Sequence, residues 1–467
     1  MGRLSRPGCI RWFDEFLYKP AYFFLVAFLT IYSNICGKEL FTYTCFTFIA
    51  LYLCFFGRDF LPALPLAICA YISPSHDNNP GRNDASVFAL SEGGAYILML
   101  AGCMIIAAIY RLIRDRKLGR STFFTCKRQL LSGMLLLCGS YLFSGLGSNQ
   151  LMLVGKQNIV FSLIQCAALL VPYFLITGMV DWEKAPSAYL SWTGMCVGYV
   201  LLVELAFIYF QYDIMRDGVI AREHISTGWG HYNNIGALLA MMVPLPFYLT
   251  GKGKFTGFFY LSGLLFLAGV LFSCSRGAIL FAVPAYCIAY ILSLCHSRHA
   301  RASILIHILT VLAGLAVYWF YSDDLLDMFQ ELLANGIYPS GRLLIYEAGL
   351  EQFRNYPLLG GTFYPIDFPL FSWSTSESFV SLFPPRWHNT IVQILASCGT
   401  VGIVAYTIHR VQTLLLFLRR PSGKKMFAFL SMLILLGCSL LDCHMFNVGP
   451  VLFYSMLLAF VEKKFNQ

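Results

Sequence analysis

Fourteen apolar runs, most of them long enough to form membrane-spanning helices, follow one another along the 467 residues of the chain. A helix needs roughly 20 apolar residues to cross the hydrocarbon core of a bilayer. Hydrophobic residues make up 58% of the chain and charged residues 12%, whereas soluble domains carry about 25% charged residues. A water-soluble fold cannot bury so much apolar surface. The sequence therefore predicts an all-α polytopic integral membrane protein, with 1–467 as a single membrane domain.

The predicted spans give a count of 12 to 14 transmembrane helices. The third run is short and contains Pro62 and Pro65, so a re-entrant segment is the alternative there, and the second run is marginal. The runs lie near 20–36, 39–56, 59–73, 93–110, 129–146, 157–179, 188–210, 234–250, 255–273, 277–295, 303–321, 388–409, 425–441 and 447–461.

The distribution of Lys and Arg predicts the orientation of these spans. With the N-terminus inside, 24 of the 33 Lys and Arg fall in loops on the inner side, as the positive-inside rule requires. Both termini are then cytoplasmic. No cleavage site follows the N-terminal arginines, so we expect the first helix to act as the insertion signal. This orientation predicts a multi-pass protein of the cytoplasmic membrane.

The sixteen cysteines lie mostly inside apolar runs, where cysteine behaves as a small hydrophobic residue. No CxxC pair and no Cys/His spacing typical of zinc is found. The sequence therefore predicts neither a metal site nor a cofactor, and the positive charge is explained by topology rather than by nucleic-acid binding.

A long polar loop, residues 322–387, lies on the side opposite to most of the positive charge. Loops of this length are uncommon between packed elements, and ordered loops on a rigid scaffold often carry function. A helical stretch is predicted within it from Leu343 to Phe353. The function of the protein is therefore expected on this extracytoplasmic side.

Two arginines on that side are candidate anion ligands. Arg276 lies in Ser275-Arg276-Gly277, between two spans joined by almost no loop, where a charge is costly and usually has a partner or a task. Arg342 follows Gly341 at the start of the loop helix, and its guanidinium matches phosphate oxygens. The alternatives are that Arg276 extends to the lipid headgroups and that Arg342 is a solvated surface residue.

His388 is a candidate general base, because it lies where the long loop re-enters the membrane and histidine titrates near neutral pH. The alternative is an interfacial histidine packed beside Trp387. A second polar segment leads into the eighth span through Trp229, His231 and Asn233, where capping of the helix is the simpler role for Asn233. Asp442 and His444 are placed on the same side, without partners that the sequence identifies.

The order of these signals resembles the O-antigen ligase and polysaccharide polymerase superfamily of membrane enzymes. The resemblance covers roughly 225–410, and in this region we expect the catalytic part. The motifs that carry it are His231-Tyr232-Asn233-Asn234-Ile235-Gly236 with Pro244, Ser275-Arg276-Gly277, Gly341-Arg342, Pro357-Leu358-Leu359-Gly360-Gly361, His388-Asn389-Thr390 with Gln393, and Gly399-Thr400-Val401-Gly402. The chain has Tyr232-Asn233-Asn234 where the family often has Asn-Pro-Asn, and Tyr346 where it often has Trp.

The resemblance implies a metal-independent transfer of a glycan from an undecaprenyl-diphosphate donor to a hydroxyl acceptor at the outer face of a bacterial cytoplasmic membrane. Arg276 and Arg342 would bind the diphosphate, and His388 would position or deprotonate the acceptor. The acceptor is a lipid-linked glycan, a lipid core or a protein. Residues expected to contact glycan or acceptor are Trp229, His231, Asn233, Glu347, Glu351, Trp387 and Asn389, with Trp373 and Phe383 as further aromatic candidates.

Two other functions fit part of the sequence. A flippase or transporter of lipid-linked oligosaccharides would also have about fourteen helices, but transporters often show repeated halves and ionisable residues at mid-membrane. Neither is evident apart from Glu204. A peptidoglycan polymerase of the shape, elongation and division type should show one particular Asp in the loop, and none of the loop aspartates is identifiable as that residue.

Overall fold

The computed structural model describes residues 8–57, 59–72, 92–117, 127–212, 225–227, 230–251, 255–296, 300–320, 342–365, 367–368, 371–372 and 386–465. Within them the fold is a bundle of α-helices. In chain order these are α1 Gly8–Phe16, α2 Pro20–Cys36, α3 Glu39–Phe55, α4 Ala63–Ile72, α5 Glu92–Lys117, α6 Leu131–Leu142, α7 Leu151–Met179, α8 Tyr189–Tyr212, α9 Tyr232–Met242, α10 Thr256–Phe272, α11 Arg276–His296, α12 Ala300–Phe320, α13 Arg342–Asn355, α14 Thr390–Leu418, α15 Gly423–Leu441 and α16 Val448–Phe465.

Short non-α elements complete the described part of the chain. Two antiparallel hairpins have strands of two residues each: β1 Ser226–Thr227 with β2 Gly230–His231, and β3 Asp367–Phe368 with β4 Phe371–Ser372. Two 3-10 helices span Pro246–Leu249 and His444–Phe446. The predicted all-helical membrane class is confirmed, because these elements are too small to form a sheet layer.

Six described helices are long and apolar enough to cross a membrane: α5, α7, α8, α11, α14 and α15. The number becomes seven if α1 and α2, which meet at 74°, count as one broken span. Several other predicted spans coincide with shorter apolar helices, such as the 17 residues of α3 and α10 and the 12 of α6. The count of 12 to 14 came from apolar runs, which include turns and 3-10 segments as well as α-helix.

The predicted spans also differ from the helices at two places that matter for the site. The eighth run, 234–250, is divided into α9 and the 3-10 helix Pro246–Leu249, both of them buried. The twelfth run was predicted to end at 409, but α14 continues to Leu418 and so takes Arg410 into the helix. The predicted loop helix from Leu343 to Phe353 is present as α13.

Helices α7 and α16 pack against each other and run parallel. Gln165 Nε2 donates to the carbonyl of Phe446 at 2.9 Å, and Ser455 Oγ donates to the carbonyl of Leu169 at 2.6 Å. The surface of the bundle is apolar instead, as on α5, where Ile105 and Ile106 are 61% and 69% exposed. Such exposure suits a helix that faces lipid.

The two ends of the bundle carry different chemistry. At one end, the backbone N–H of Gln129 donates to Glu462, and Lys464 donates to the carbonyl of Trp182. This end corresponds to the basic side of the sequence. At the opposite end, the starts of α9, α11, α13 and α14 meet the segment between α15 and α16.

Candidate active site

The end of α15 and the segment after it, residues 440–447, form the centre of the candidate site. We call this segment the junction. The last carbonyl groups of a helix have no partner within the helix, and here side chains from other elements satisfy them. Asn389 Nδ2 donates to Leu440 at 2.9 Å, and Arg342 Nη1 donates to Leu441 at 3.2 Å. The C-terminal end of the helix dipole also favours a cation such as Arg342.

His388 and Asp442 face each other at the junction. His388 Nδ1 lies 3.4 Å from Asp442 Oδ1, and the two side chains are 35% and 5% exposed. The contact is longer than a well-formed hydrogen bond, and Nδ1 makes no such bond to any other group among the described residues. With Nδ1 turned toward a carboxylate, the other ring nitrogen is the one suited to exchange a proton with a substrate.

Asp442 is held on both sides by further donors. Asn233 Nδ2 donates to Oδ2 at 2.9 Å, and the backbone N–H of Cys443 donates to Oδ1 at 2.7 Å. Asn233 Oδ1 in turn accepts a hydrogen bond from Ser275 Oγ at 3.1 Å. The chain Ser275–Asn233–Asp442–His388 therefore links α9 and the start of α11 to the start of α14.

The charge state of Asp442 follows from this environment. Burial alone would raise the pKa of Asp442, but the contact with His388 and the nearby charges of His444, His388 and Arg386 outweigh burial and hold its pKa well below the usual range. Burial lowers the pKa of His444 to about 4, although Asp442 opposes this. His444 is thus neutral at pH 7, and Arg386 is the permanent cation among these neighbours of Asp442.

Arg276 and Arg342 both come to the end of α15. Arg342, the first residue of α13, reaches Leu441 through its guanidinium. Arg276 is the first residue of α11, and a Cβ added to the adjacent Gly277 would lie 3.4 Å from the Leu441 side chain. Both arginines are half-buried. The structure therefore brings Arg342, His388 and the backbone next to Arg276 to Leu441 and Asp442, although 112 positions separate Arg276 from His388 in the sequence.

Strained backbone lies beside these residues. His388 has φ = 48° and Cys274, two residues before Arg276, has φ = 55°. Non-glycine residues rarely adopt this left-handed conformation, and they do so mainly at functional sites where the surroundings enforce it. Tyr346 on α13 helps to enforce it, because its hydroxyl donates to the carbonyl of His388 at 3.1 Å.

Two glycine motifs support the site from the side of α14. Gly399 interrupts this helix with φ = 63°, and a Cβ there would lie 2.5 Å from the carbonyl oxygen of Leu358. The freed backbone groups pair across the contact, since Thr400 N donates to Pro357 O at 2.8 Å and Gly361 N donates to Ala396 O at 2.8 Å. The motifs 357–361 and 399–402 are therefore two sides of one backbone contact.

Three residues that the sequence assigned to glycan or acceptor binding make structural contacts in the fold. Asn389 caps α14 by accepting from the N–H of Ile391 and Val392. Its Nδ2 donates to the carbonyl oxygen of Leu440. The Asn233 amide donates to Asp442 and accepts from Ser275. Because α9 already starts at Tyr232, Asn233 is a bridge rather than a helix cap. Trp387 is 1% exposed and packs with Ile345 and Ala396, which leaves no ring face open to a sugar.

The remaining predicted ligand residues lie on α13, in β2 or outside the described residues. Glu347 and Glu351 are exposed on α13. His231 lies in β2, paired with Ser226, immediately before α9. Trp229, Trp373 and Phe383 fall outside the described residues, as does most of the long loop.

The sequence reasoning did not assign roles to Asp442, His444 or Arg386. Asp442 and His444 had been placed on the correct side of the bundle but without partners. A signal was present in Asp442-Cys443-His444, a pair of ionisable residues between two apolar runs, because such residues at a membrane boundary are costly unless they are paired.

Comparison with known protein families gives one match. Residues 261–407 match the family model of the O-antigen ligase. The chain carries an O-antigen ligase domain. The match begins in α10, includes Arg276, Arg342 and His388, and ends within α14. It lies inside the predicted catalytic region 225–410, whose own boundaries stay a prediction.

A domain of this family implies a membrane glycan transferase of the ligase or polymerase type that uses lipid-linked glycan substrates. This match favours the transferase over the flippase that the number of helices had left open. No curated protein gave a match to the chain. Asp442 lies beyond the end of the matched segment, so its place at the site comes from the fold alone.

Proposed function

We propose that this O-antigen ligase domain transfers a glycan from an undecaprenyl-diphosphate donor to a hydroxyl acceptor at the outer face of a bacterial cytoplasmic membrane. The observation that carries the proposal is the convergence of His388 and Arg342 on Leu441 and Asp442, with the backbone next to Arg276 against Leu441. The acceptor is a second lipid-linked glycan, a lipid core or a protein, and the geometry does not favour one of them.

The two arginines would act on the leaving group. The bond between the anomeric carbon and the phosphate oxygen breaks, and its electron pair leaves with the diphosphate. Guanidinium groups match phosphate oxygens through paired donors, and charge stabilisation is strong where water is partly excluded. Arg276 and Arg342, each half-buried, have the charge and the shielding that this step needs.

His388 would act on the acceptor. The acceptor hydroxyl attacks the anomeric carbon, and its proton passes to the ring nitrogen of His388 that faces away from Asp442. The imidazolium formed in this way is stabilised by the Asp442 carboxylate 3.4 Å from Nδ1. The same arrangement favours the tautomer that can accept the proton.

We also infer that the reaction does not depend on a metal ion, because guanidinium groups can neutralise the diphosphate charge. Activity of the purified protein should then survive chelation with EDTA. Loss of activity in EDTA and recovery with Mg²⁺ would show that this part of the proposal is wrong.

The outer location of the site rests on the charge distribution, with 24 of 33 Lys and Arg on the opposite side. A cysteine introduced at exposed Leu358 on the site end, in a background where exposed native cysteines are replaced, should react with an impermeant maleimide in intact cells. Protection until the cells are lysed would reverse the orientation.

The catalytic proposal is tested with Arg276→Ala, Arg342→Ala and His388→Ala. Each should lower glycan transfer from lipid-linked donor by at least about a hundredfold, in line with the loss of one charge-stabilising or proton-transferring group. Arg354→Ala is the matched control, because Arg354 is an exposed arginine on the same helix as Arg342. Near wild-type transfer by purified His388→Ala would refute the base role.

A further inference from the structure

An apolar groove of ≈ 430 Å³ lies between α4, α7 and α16, and its lining includes none of the candidate site residues. Every side chain that lines it is apolar, including Ala67, Ala167, Pro172, Leu452 and Met456. Its volume is within the range of small-molecule sites. An apolar space of this kind does not retain water, so in a membrane it holds a hydrocarbon chain.

The groove runs lengthwise along the bundle. On α7 its lining extends from Ile164 to Ile176, which is about 18 Å at the rise of an α-helix. One end is marked by Phe60, whose backbone N–H donates to the carbonyl of Met179 at the end of α7. The other end is marked by Val448, the first residue of α16. The groove is therefore a slot for a long, thin chain aligned with the lipids.

The side of the groove is open. Ala67 and Ala167 are both exposed, and Val171 between the two ends is 50% exposed. A hydrocarbon chain can enter sideways from the bilayer without unfolding a helix.

The upper end of the groove meets the candidate site. Val448 directly follows Asn447, the last residue of the junction. The ring of Tyr71, at the end of α4, lies against Gly449, and the charge of Arg386 acts on Tyr71 as well as on Asp442. Arg386 lies two residues before His388, which faces Asp442, so it belongs to the same end of the bundle as the carboxylate of the site and the mouth of the groove.

Arg386 also lacks a complete set of partners. Its Nη1 is buried and makes no hydrogen bond within the described part of the chain. A buried donor of this kind costs free energy until a partner reaches it, and a cationic one favours an anion. An apolar slot with such a cation at its mouth fits an amphiphile that has an anionic head.

We propose that the groove between α4, α7 and α16 binds the polyisoprenoid tail of the lipid-linked donor and that Arg386 at its mouth contacts the donor diphosphate. This inference rests on the proposed function, because it supplies the path by which that donor reaches Arg276 and Arg342. The tail lies along α7, and the diphosphate is placed at the junction.

The groove positions the donor tail more than it adds to the affinity for the donor. Lipid tails are as apolar as the lining, so moving a tail from bilayer to groove gains packing but no hydrophobic free energy. The affinity contributed by the tail is therefore modest. Blocking the groove should weaken donor binding by about tenfold, equivalent to about 1.4 kcal/mol.

The test measures binding of undecaprenyl diphosphate and of geranyl diphosphate to the full chain in phosphatidylcholine nanodiscs. Ala167→Trp fills the groove from its open side. We expect it to weaken binding of undecaprenyl diphosphate by about tenfold and to leave geranyl diphosphate unchanged, because two isoprene units reach only the mouth. Ala101→Trp on the lipid-facing surface of α5, where Ala101 is also exposed, is the matched control and should change neither.

The outcomes separate this inference from the proposed function. Equal binding of undecaprenyl diphosphate to wild type and Ala167→Trp would overturn the groove, which would then hold ordinary phospholipid. An equal loss for both ligands would also overturn it, because the effect would not depend on the tail. In a third outcome, Arg276→Ala and Arg342→Ala would leave the binding of both ligands unchanged while Ala167→Trp still weakened the binding of undecaprenyl diphosphate alone. That result would contradict the proposed diphosphate site and support the groove. Arg386→Gln should weaken the binding of both ligands. If the binding of neither ligand changed, Arg386 would not be part of the diphosphate site.

Discussion

Replacing Asp442 by Asn removes one charge from the site while it keeps the shape of the side chain. The amide oxygen of the new side chain can still accept from Cys443 N and from His388. Its amide nitrogen would face the Nδ2 of Asn233. If the Asn233 amide rotates, its oxygen can accept from the new amide, and the Ser275 hydroxyl can accept from its nitrogen, since a hydroxyl can both donate and accept. The variant therefore tests the charge of Asp442 with little change in structure.

The size of the effect follows from the distance between the two groups. Two unit charges 3.4 Å apart interact by about 1 kcal/mol in water and by about 5 kcal/mol at an effective dielectric constant of about 20. Asp442 is buried and His388 is 35% exposed, so screening reduces the upper value. We take about 2 to 3 kcal/mol for the imidazolium that forms during transfer. This corresponds to a fall in kcat of about 30- to 150-fold.

The assay compares single-turnover glycan transfer by wild type, Asp442→Asn, His388→Ala and the double variant. If Asp442 acts through His388, the double variant should be no slower than His388→Ala, since the charge has no purpose once the imidazole is absent. Thermal unfolding in detergent monitors whether Asp442→Asn keeps the fold.

Two results would refute this reasoning. The first is a fall of less than about threefold in Asp442→Asn, which would mean that His388 does not become positively charged in the transition state. The second is additivity in the double variant, which would mean that Asp442 acts on stability or on another group. In either case Asp442 would not be a positioning residue for His388.

Two further predictions concern the fold around the site. Gly399→Ala should lower the free energy of unfolding by about 3 kcal/mol or more, because the added Cβ meets backbone atoms of Leu358 and Gly360 and the residue must keep φ = 63°. Chemical denaturation measures this change. The control is Gly139→Ala in α6, which should be neutral or stabilising because a Cβ there meets nothing within 4 Å. The pKa of His444 is near 6.5 in the unfolded chain and about 4 in the folded protein. Between these two pH values the unfolded state binds the extra proton, so the free energy of unfolding should fall by up to about 3 kcal/mol as the pH drops through this window. Melting curves from about pH 7 to 4 measure this loss, which His444→Gln should reduce; an unchanged pH dependence in His444→Gln would contradict the assignment.

The sequence was informative where a rule acts locally. Apolar runs identified the membrane class, and the helical stretch near Leu343 is present as α13. The residues Arg276, Arg342 and His388 were selected as polar exceptions at the ends of apolar runs, and the structure brings all three to the end of α15. An ionisable residue at a membrane boundary is informative because the cost of burying it must be offset by a partner or a function.

The sequence failed where the partner of a residue is decided by the tertiary fold. The capping role of Asn389 was not predicted, because a cap depends on where the helix starts, and the helix starts one residue later. Trp387 was expected to stack on sugar, but its ring fills the space between α13 and α14. The partner of Asp442 could not be predicted either, because His388 lies 54 positions earlier and meets Asp442 only when α14 and α15 pack.

The balance of charge at the junction bears on which ligand the site is built for. The Asp442 carboxylate is engaged by His388, Asn233 and the backbone of Cys443, so it has little capacity left to neutralise an arginine. Arg342 is satisfied in part by the carbonyl of Leu441, which carries only a fraction of a charge, and Arg386 keeps a buried nitrogen without a partner among the described residues. Guanidinium groups that are shielded from water and only partly neutralised raise the free energy of the empty site. A diphosphate removes this penalty when it binds, whereas an uncharged glycan does not. The site should therefore select its substrate by the phosphate end and should accept variation in the sugar more readily than loss of the diphosphate.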